Sequence, residues 1–262
     1  MYPPEAIPTL WEQQEESFRS LGRLVQRVVS ELAPTLQVQE AREFALHGVS
    51  RRLGIIQSCV RNIFLLYPPE RTERLDRDAL QSVNINLHAM LVNVSGLQDN
   101  WAWVYVLEQG VVIGKRFRRS DVGLYQNRTQ ALLPLAVTTY LNEPTMIQWR
   151  DLYAKEYRDS IAHRVPLYVP PSNLSPADLA RHGELGELMN AHNLSGDIEA
   201  MFDALRERNN LGSASPLFLN SITVGRPLLL HPQIICDAMT VAEISEIMLA
   251  NPPVGAVAGG AP

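Results

Sequence analysis

The sequence predicts a mainly α-helical protein, an antiparallel helical bundle with a small β-hairpin near its C-terminus. Three observations support this fold class. Apolar residues recur at three- and four-residue steps over several long stretches, which is the period of an amphipathic helix. Prolines and capping residues separate these stretches. Only residues 215–232 show short apolar runs on both sides of a turn, the pattern of two paired strands.

The first three predicted helices are the longest. Residues 11–32 form an amphipathic pattern that a proline ends, and residues 40–67 form a second one that stops at the sequence YPPE. A third helix begins at Asp76 or Asp78, either of which is a suitable N-cap, and ends near Gly110. The short link between the second and third helices favours antiparallel packing.

The C-terminal half predicts shorter helices and more loops. Residues 111–125 read as a loop, and the helix after them is bent or started at Pro134. Val165 precedes Pro166, and a residue before proline avoids helical angles, so the helix through Arg158 should end there. The hairpin turn is Thr-Val-Gly-Arg, at residues 223–226. The predicted helices in this half cover residues 126–141, 143–164, 175–190, 196–209 and 233–249.

This pattern divides the chain into four parts. Residues 1–36 are an N-terminal helix and residues 37–165 are the helical bundle. Residues 166–250 are a helical extension that carries the hairpin and packs on the same core. The last part, residues 251–262, has a small-residue composition that predicts a disordered tail.

Composition narrows the class of protein. Of 262 residues, 46% are hydrophobic and 19% are charged, which is typical of a globular chain, and the net charge of −5 means that contact with a polyanion requires a local basic patch. Cys59 and Cys236 lie among apolar neighbours, so we expect two buried free thiols and a reducing, cytoplasmic location. The N-terminus lacks the pattern of a secretory signal, and the longest apolar stretch is too short to span a membrane.

Common cofactor and metal patterns are missing from the sequence. The six histidines form no close pair, there is no phosphate-binding loop and there is no nucleophile elbow, so we expect neither a metal nor a cofactor. Glu184 and Glu187 could form a carboxylate pair, but the solvated face of a helix explains them as well.

A basic loop is the first candidate for a binding site. Its sequence, GKRFRRSD, places four cations around Phe117, and such a cluster can follow a phosphate backbone while the ring stacks on a base. The alternative is a solvated, charged loop with no ligand. The candidate nucleic-acid-binding residues are Lys115, Arg116, Arg118 and Arg119.

The second candidate is the stretch EYRDSIAHRVP, in which Arg158 and His163 are five positions apart. Three such Arg-x4-His pairs occur in the chain, whereas its 21 arginines and six histidines give about half a match by chance, so context decides between them. REFALH opens an apolar helix and RPLLLH lies in the predicted hairpin. Only RDSIAH has a polar second residue, Asp159, and lies at the end of a helix.

This stretch, together with the long helices before it, resembles the HEPN superfamily over residues 37–165. The resemblance implies metal-independent RNA cleavage by a homodimer, with a role in defence or stress and a protein partner such as an antitoxin. It assigns His163 as general acid or base and Arg158 as the group that holds the phosphate. Asp159 lies four residues before His163 and would orient the imidazole.

Helical geometry sets a condition on this assignment. Residues five apart on an α-helix point about 140° apart, so Arg158 and His163 can converge only if the helix unwinds or if a partner chain supplies one of them. Tyr153, Tyr157 and Ile161 form the stripe that we expect to be buried.

Two alternatives stay open. In the first, Arg158 and Arg164 pair with Glu156, Asp159 or Asp151 and His163 caps its helix. In the second, the chain is a non-catalytic helical module that binds a protein or RNA partner through the same groove.

Overall fold

The computed structural model describes residues 1–219 and 227–253, with the side chains of all of these except Ala162 and His163. The predicted turn at residues 223–226 and most of the predicted tail lie outside the described residues. Within the described part the fold is mainly α-helical, with one two-stranded antiparallel sheet, which confirms the predicted fold class.

Four long helices form the centre of the molecule. They are α1 (Ala6–Arg27), α3 (Ser50–Leu66), α4 (Arg77–Glu108) and α11 (Leu230–Ala250). Helices α3 and α4 pack antiparallel, since Arg52 near the start of α3 reaches Asn100 late in α4, and Asn62 near the end of α3 reaches Asn86. Helix α11 packs against the other three, so the end of the described chain belongs to the same core.

Shorter elements complete the structure. The hairpin pairs β1 (Leu217–Phe218) with β2 (Leu228–Leu229), with Phe218 opposite Leu228. Helices α9 and α10 pack mainly on each other at the edge of the core. The remaining α-helices are α2 (Gln39–Glu43), α5 (Asn127–Gln130), α6 (Leu135–Leu141), α7 (Pro144–Trp149), α8 (Lys155–His163), α9 (Pro176–Ser195) and α10 (Ile198–Asn209).

Three π-helical segments interrupt the helices. They are Val28–Leu32 after α1, Phe44–Val49 between α2 and α3, and Arg150–Ala154 between α7 and α8. Each continues the helical rod of its neighbours, so residues 39–66 and residues 144–163 are two long rods with a wider turn inside. π-Helical turns occur frequently at functional sites, which draws attention to the two rods.

The sequence-based prediction placed two helix starts too late. Helix α1 begins at Ala6 instead of residue 11, and α11 begins at Leu230 instead of residue 233. Each has a proline at its third position, Pro8 and Pro232. The first four N–H groups of a helix have no intrahelical partner, so proline in the first turn costs no hydrogen bond and does not mark a boundary.

The two cysteines differ in exposure. Both are free thiols, and Cys59 is buried as expected. Cys236 is exposed, because it lies on the outer face of α11 while Ile234 and Ile235 beside it are buried in the core. No helix in the described ranges is both long enough and apolar enough to cross a bilayer.

Candidate functional site

The rod that carries Arg158 is anchored to the core from two sides. The Trp149 indole N–H donates to Asp237 on α11 at 2.8 Å, and the Tyr157 ring packs edge-on against Phe218 of β1, with centroids 5.5 Å apart. Tyr157 is buried, and Tyr153 and Ile161 are half-buried against the core, so the predicted stripe is confirmed. The opposite side of the rod is therefore held in a fixed position toward solvent.

Arg158 lines a cavity of about 280 Å³ between this rod, α4 and the loop that precedes α5. Arg150, Ala154 and Arg158, each four residues apart, all face it. On a regular α-helix such a series rotates by about 40° at each step, and the π turn at Arg150–Ala154 reduces that drift because its turns are wider. The lining residues are Ser95, Gln98, Asp99, Val122, Gly123, Leu124, Tyr125, Gln126, Arg150, Asp151, Ala154, Lys155 and Arg158.

Positive charge predominates on the rod side of the cavity. Arg150, Lys155 and Arg158 supply three cations, and Asp151 neutralises one of them by binding Arg150 at 2.8 Å. The Arg150 guanidinium also lies over the Tyr125 ring, 4.5 Å from its centroid. The buried Tyr125 hydroxyl has no hydrogen-bond partner among the described residues, and burial raises its pKa to about 12.

Asp99 of α4 faces these cations across the cavity. Surrounding protein removes part of the hydration of its carboxyl, which raises its pKa, while the positive charges of Arg158 and Arg52 act in the opposite direction. Asp99 therefore lies close enough to both guanidinium groups to feel their charge.

The immediate partner of Arg158 is its neighbour in sequence. Its Nε and Nη2 donate to Asp159 Oδ1 at 3.0 and 2.8 Å, and this bond holds the pKa of the Asp159 carboxyl below its ordinary value. Arg164 pairs with Glu156 at 2.9 Å. One alternative predicted from the sequence is that Arg158 and Arg164 form ion pairs with nearby carboxylates. Pairs with Asp159 and Glu156 are present, whereas Asp151 binds Arg150 instead.

Helix α8 continues through His163, the last residue of the helix, and Arg164 is the first with extended backbone. Arg158 and His163 are therefore connected by unbroken helix, and their positions remain about 140° apart around its axis. One of the two ways in which the pair could converge, an unwound end, is absent between these residues. The orientation of His163 by Asp159 stays a prediction, because the His163 side chain lies outside the described residues.

The four cations of the basic loop are Lys115, Arg116, Arg118 and Arg119. They lie on the surface, and in the sequence they come just before one wall of this cavity. All four are exposed and Phe117 is half-buried. In the ranges that the structure describes, none of the four forms a salt bridge, although Asp121 holds the loop by accepting from the Arg118 backbone N–H at 2.8 Å. Residues 122–126, which follow the loop directly, form one wall of the Arg158 cavity. The two sites predicted from sequence are thus joined by one short segment.

Sequence reasoning missed several residues of the cavity, above all Arg150, Lys155 and Asp99. Two signals could have found them. Arg150 and Arg158 are separated by two steps of four residues, and Asp99 is the only charged residue, histidine excepted, between Asp78 and Glu108. A single carboxyl in a long uncharged stretch is a candidate partner for cations elsewhere in the chain.

No metal site is evident in residues 1–219 and 227–253, where no three His, Cys, Asp or Glu side chains cluster. Comparison of the chain with protein-family models, curated proteins and solved structures finds no match. What the cavity can bind must therefore be judged from its own charge and geometry.

Proposed function

We propose that this chain is a HEPN-like endoribonuclease that works as a homodimer without a metal. One observation carries the proposal: Arg158, the arginine of the HEPN-like stretch, lines a cavity together with Arg150 and Lys155. Charge-assisted hydrogen bonds to phosphate are about twice as strong as neutral ones, and a phosphodiester would compete for them with Asp151 at Arg150 and with Asp159 at Arg158.

The reaction assigned to this site is attack of an RNA 2′-hydroxyl on the adjacent phosphorus. The new P–O bond forms as the bond to the 5′-oxygen breaks, which leaves a cyclic phosphate and a free 5′-hydroxyl. His163 removes the proton from the 2′-hydroxyl or donates one to the leaving oxygen. Arg158 binds the non-bridging oxygens, where negative charge develops in the transition state.

The homodimer follows from the helix that joins Arg158 to His163. Since α8 is unbroken between them, a single chain holds the two positions on different sides of the rod. A two-fold axis near the end of α8 would place His163 of one copy beside Arg158 of the other and create two equivalent sites. The exposed Lys115, Arg116, Arg118 and Arg119 then serve as a track for the RNA strand.

The cellular setting forms part of the proposal. RNA cleavage of this kind belongs in the cytoplasm, in defence or in a stress response. A protein partner such as an antitoxin would keep the nuclease inactive by covering the cavity or by blocking the dimer.

The test is cleavage of a labelled single-stranded RNA by the purified protein in EDTA. His163→Ala should lower the rate by about 10²- to 10⁴-fold, the usual contribution of a general acid or base. Arg158→Gln should lower it by about 10²- to 10³-fold. Arg181→Gln is the control, because this arginine of α9 pairs with Glu184 and Glu207 and lies outside the cavity and on a different helix from α8.

Two results would refute the nuclease. One is no cleavage of any RNA by the wild-type chain, and the other is cleavage that survives unchanged in His163→Ala. A wild-type protein that is monomeric by light scattering at the assay concentration would refute the shared site.

A non-catalytic role is the second candidate, and the Arg158–Asp159 ion pair favours it. The Asp159 carboxylate, 2.8 Å from the Arg158 guanidinium, neutralises its charge and so weakens its attraction for phosphate. A module of this kind would bind RNA or a protein partner through the same cavity without cleaving RNA. RNA binding that is lost in Arg158→Gln, with no cleavage by wild type, is the result expected of this alternative.

A further inference from the structure

A second cleft, lined by Arg52, Asn93 and Asn100 among others, has the features of a ligand site. It has a volume of about 470 Å³ and lies between α4 and the rod formed by α2, the π segment and α3. The rod lines it with residues four apart in two rows, one containing His47, Arg51 and Ile55 and the other Phe44, Gly48 and Arg52. The π segment Phe44–Val49 brings these rows toward one face, as the segment at Arg150 does in the first cavity.

Arg52 is held in place at the centre of this cleft. Its Nε donates to Asn100 Oδ1 at 2.6 Å and its Nη1 donates to Asn93 Oδ1 at 2.9 Å. Asn93 is itself fixed, because its amide donates to the Ala89 carbonyl at 2.7 Å. Both hydrogen-bond partners of the guanidinium are neutral, and these bonds use two of its five N–H groups. A preorganised cation with free donors is suited to an oxyanion.

Two glycines make room for this arrangement. A Cβ at Gly96 would lie 2.5 Å from the Arg52 guanidinium, and a Cβ at Gly48 would lie 2.8 Å from the Asn100 side chain. Any larger residue at either position would displace the Arg52–Asn100 pair. The helices are therefore built around the buried part of Arg52.

The walls of the cleft provide both charge and apolar surface. Arg51 and His47 are exposed beside Arg52, with Glu43 as the opposing charge. Ile55 is 41% exposed on the same face. Phe44 is fixed where it lines the cleft, because Trp103 stacks on its ring with centroids 5.3 Å apart and planes at 14°.

We infer that this cleft binds a nucleotide, with the phosphate on Arg52 and Arg51 and the base against Phe44 and Ile55. The cleft volume falls in the range of small-ligand pockets, about 300–1,000 Å³. A phosphate satisfies the free N–H groups of Arg52, and an aromatic base matches the apolar wall. The nucleotide is either a free monophosphate or one unit of a bound RNA strand, since both present the same chemistry.

Isothermal titration of the full chain with AMP, GMP, CMP and UMP tests this inference, with adenosine and inorganic phosphate as partial ligands. At least one monophosphate should bind more tightly than either partial ligand. Arg52→Gln should weaken that binding at least about tenfold, because a charged hydrogen bond to phosphate is lost. Arg61→Gln should leave it unchanged, since Arg61 is an exposed arginine of the same helix that lies outside the cleft.

Ile55→Glu provides a second variant that leaves the Arg52 hydrogen bonds intact. It places a negative charge at an exposed position of the cleft and should also weaken the nucleotide at least about tenfold. This variant decides the question if Arg52→Gln does not fold. The inference is overturned if no monophosphate binds at millimolar concentration, or if folded Ile55→Glu binds as tightly as wild type.

A competition experiment identifies the source of the nucleotide. A 2′-O-methylated A8 oligonucleotide, which cannot be cleaved through its 2′-oxygen, displaces AMP if the cleft serves an RNA strand and fails to do so if it serves a free nucleotide. Arg158→Gln should retain nucleotide binding to the cleft. If the protein does not cleave RNA, the cleft can still bind a nucleotide. If the cleft binds no nucleotide, the nuclease proposal at Arg158 is unaffected.

Discussion

His231 is a buried histidine whose ionisation should be visible in the stability of the whole fold. It is the histidine of the third Arg-x4-His pair, and its side chain has no exposed surface. Its Nε2 lies 2.6 Å from the Tyr67 carbonyl oxygen and its Nδ1 lies 3.0 Å from the Tyr2 hydroxyl. The carbonyl can only accept, so Nε2 carries the hydrogen. The single hydrogen of the Tyr2 hydroxyl can reach Nδ1 or, at 3.4 Å, the Pro216 carbonyl oxygen. Burial favours the neutral ring, in which Nδ1 accepts that hydrogen.

Burial lowers the pKa of His231 from 6.5 to about 4. Between these values the unfolded chain binds a proton that the folded chain does not, so stability rises with pH in this window. The contribution of the neutral His231 ring to the free energy of unfolding is fully present above pH 6.5 and is lost as the pH falls toward 4. At pH 4.5 the loss is on the order of 2–3 kcal/mol, because each pH unit between 4.5 and 6.5 contributes up to about 1.4 kcal/mol.

Asp237, six residues later on α11, acts in the opposite direction. Burial raises its pKa from 3.8 to about 6, against the hydrogen bonds from Trp149 and Gln233 to its Oδ1. Its Oδ2 is buried without a partner among the described residues. Here the folded chain binds the extra proton, so stability is gained as the pH falls below 6. At pH 4.5 the gain is about 2 kcal/mol, which nearly cancels the loss from His231.

Urea unfolding of wild type, His231→Gln and Asp237→Asn at pH 7.5 and 4.5 separates the two effects. On acidification the free energy of unfolding of His231→Gln should rise by about 2–3 kcal/mol relative to wild type, and that of Asp237→Asn should fall by about 2 kcal/mol. The pH dependence that comes from the other carboxylates is the same in all three proteins and cancels when they are compared. The same pH dependence in all three proteins would refute the burial argument.

Three further predictions concern the packing of the helices. Glu108, 2% exposed, accepts two backbone N–H groups at the start of α2 at 2.8 and 3.1 Å, so Glu108→Gln should cost about 1.5–3 kcal/mol of unfolding free energy in urea titrations. Gly96→Ala should cost about 0–2 kcal/mol instead of stabilising the helix, because its Cβ would displace the end of Arg52 from its two asparagine partners and offset the higher helix propensity of alanine; an increase in melting temperature would contradict this. A thiol reagent should modify Cys236 in the folded protein and Cys59, 4% exposed, only after unfolding, which mass spectrometry of the labelled peptides can decide.

Local signals in the sequence predicted those parts of the fold that local chemistry determines. The Asp76 side chain caps α4 by accepting from the Ala79 N–H at 2.8 Å, and Ser175 with Asp178 forms the capping box of α9. The helix before Pro166 ends where the proline requires. These features depend on residues within one turn of each other, so a single sequence is enough to find them.

The candidate site was only partly predictable, because it depends on the helical period. A constant period of 3.6 residues places Arg150 and Arg158 on diverging directions, whereas the structure has a π turn between them. REFALH is set aside in favour of RDSIAH because it opens an apolar helix, although its His47 is exposed in the second cleft. Arg42 of that stretch does have a structural role, since it donates to the Leu36 carbonyl at 2.6 Å. Hydrophobic periodicity contains no signal for where a helix widens.

The proposed nuclease site depends on two copies of the chain, and mixing two inactive variants tests this most directly. Arg158→Gln and His163→Ala are each assayed alone in EDTA and then after equal amounts have been allowed to exchange subunits. In a mixed dimer, one of the two sites combines an intact Arg158 with an intact His163. Activity should recover to about a quarter of the wild-type rate, because about half of the dimers are mixed and each has one complete site out of two. A mixture no more active than its separate components would contradict the shared site.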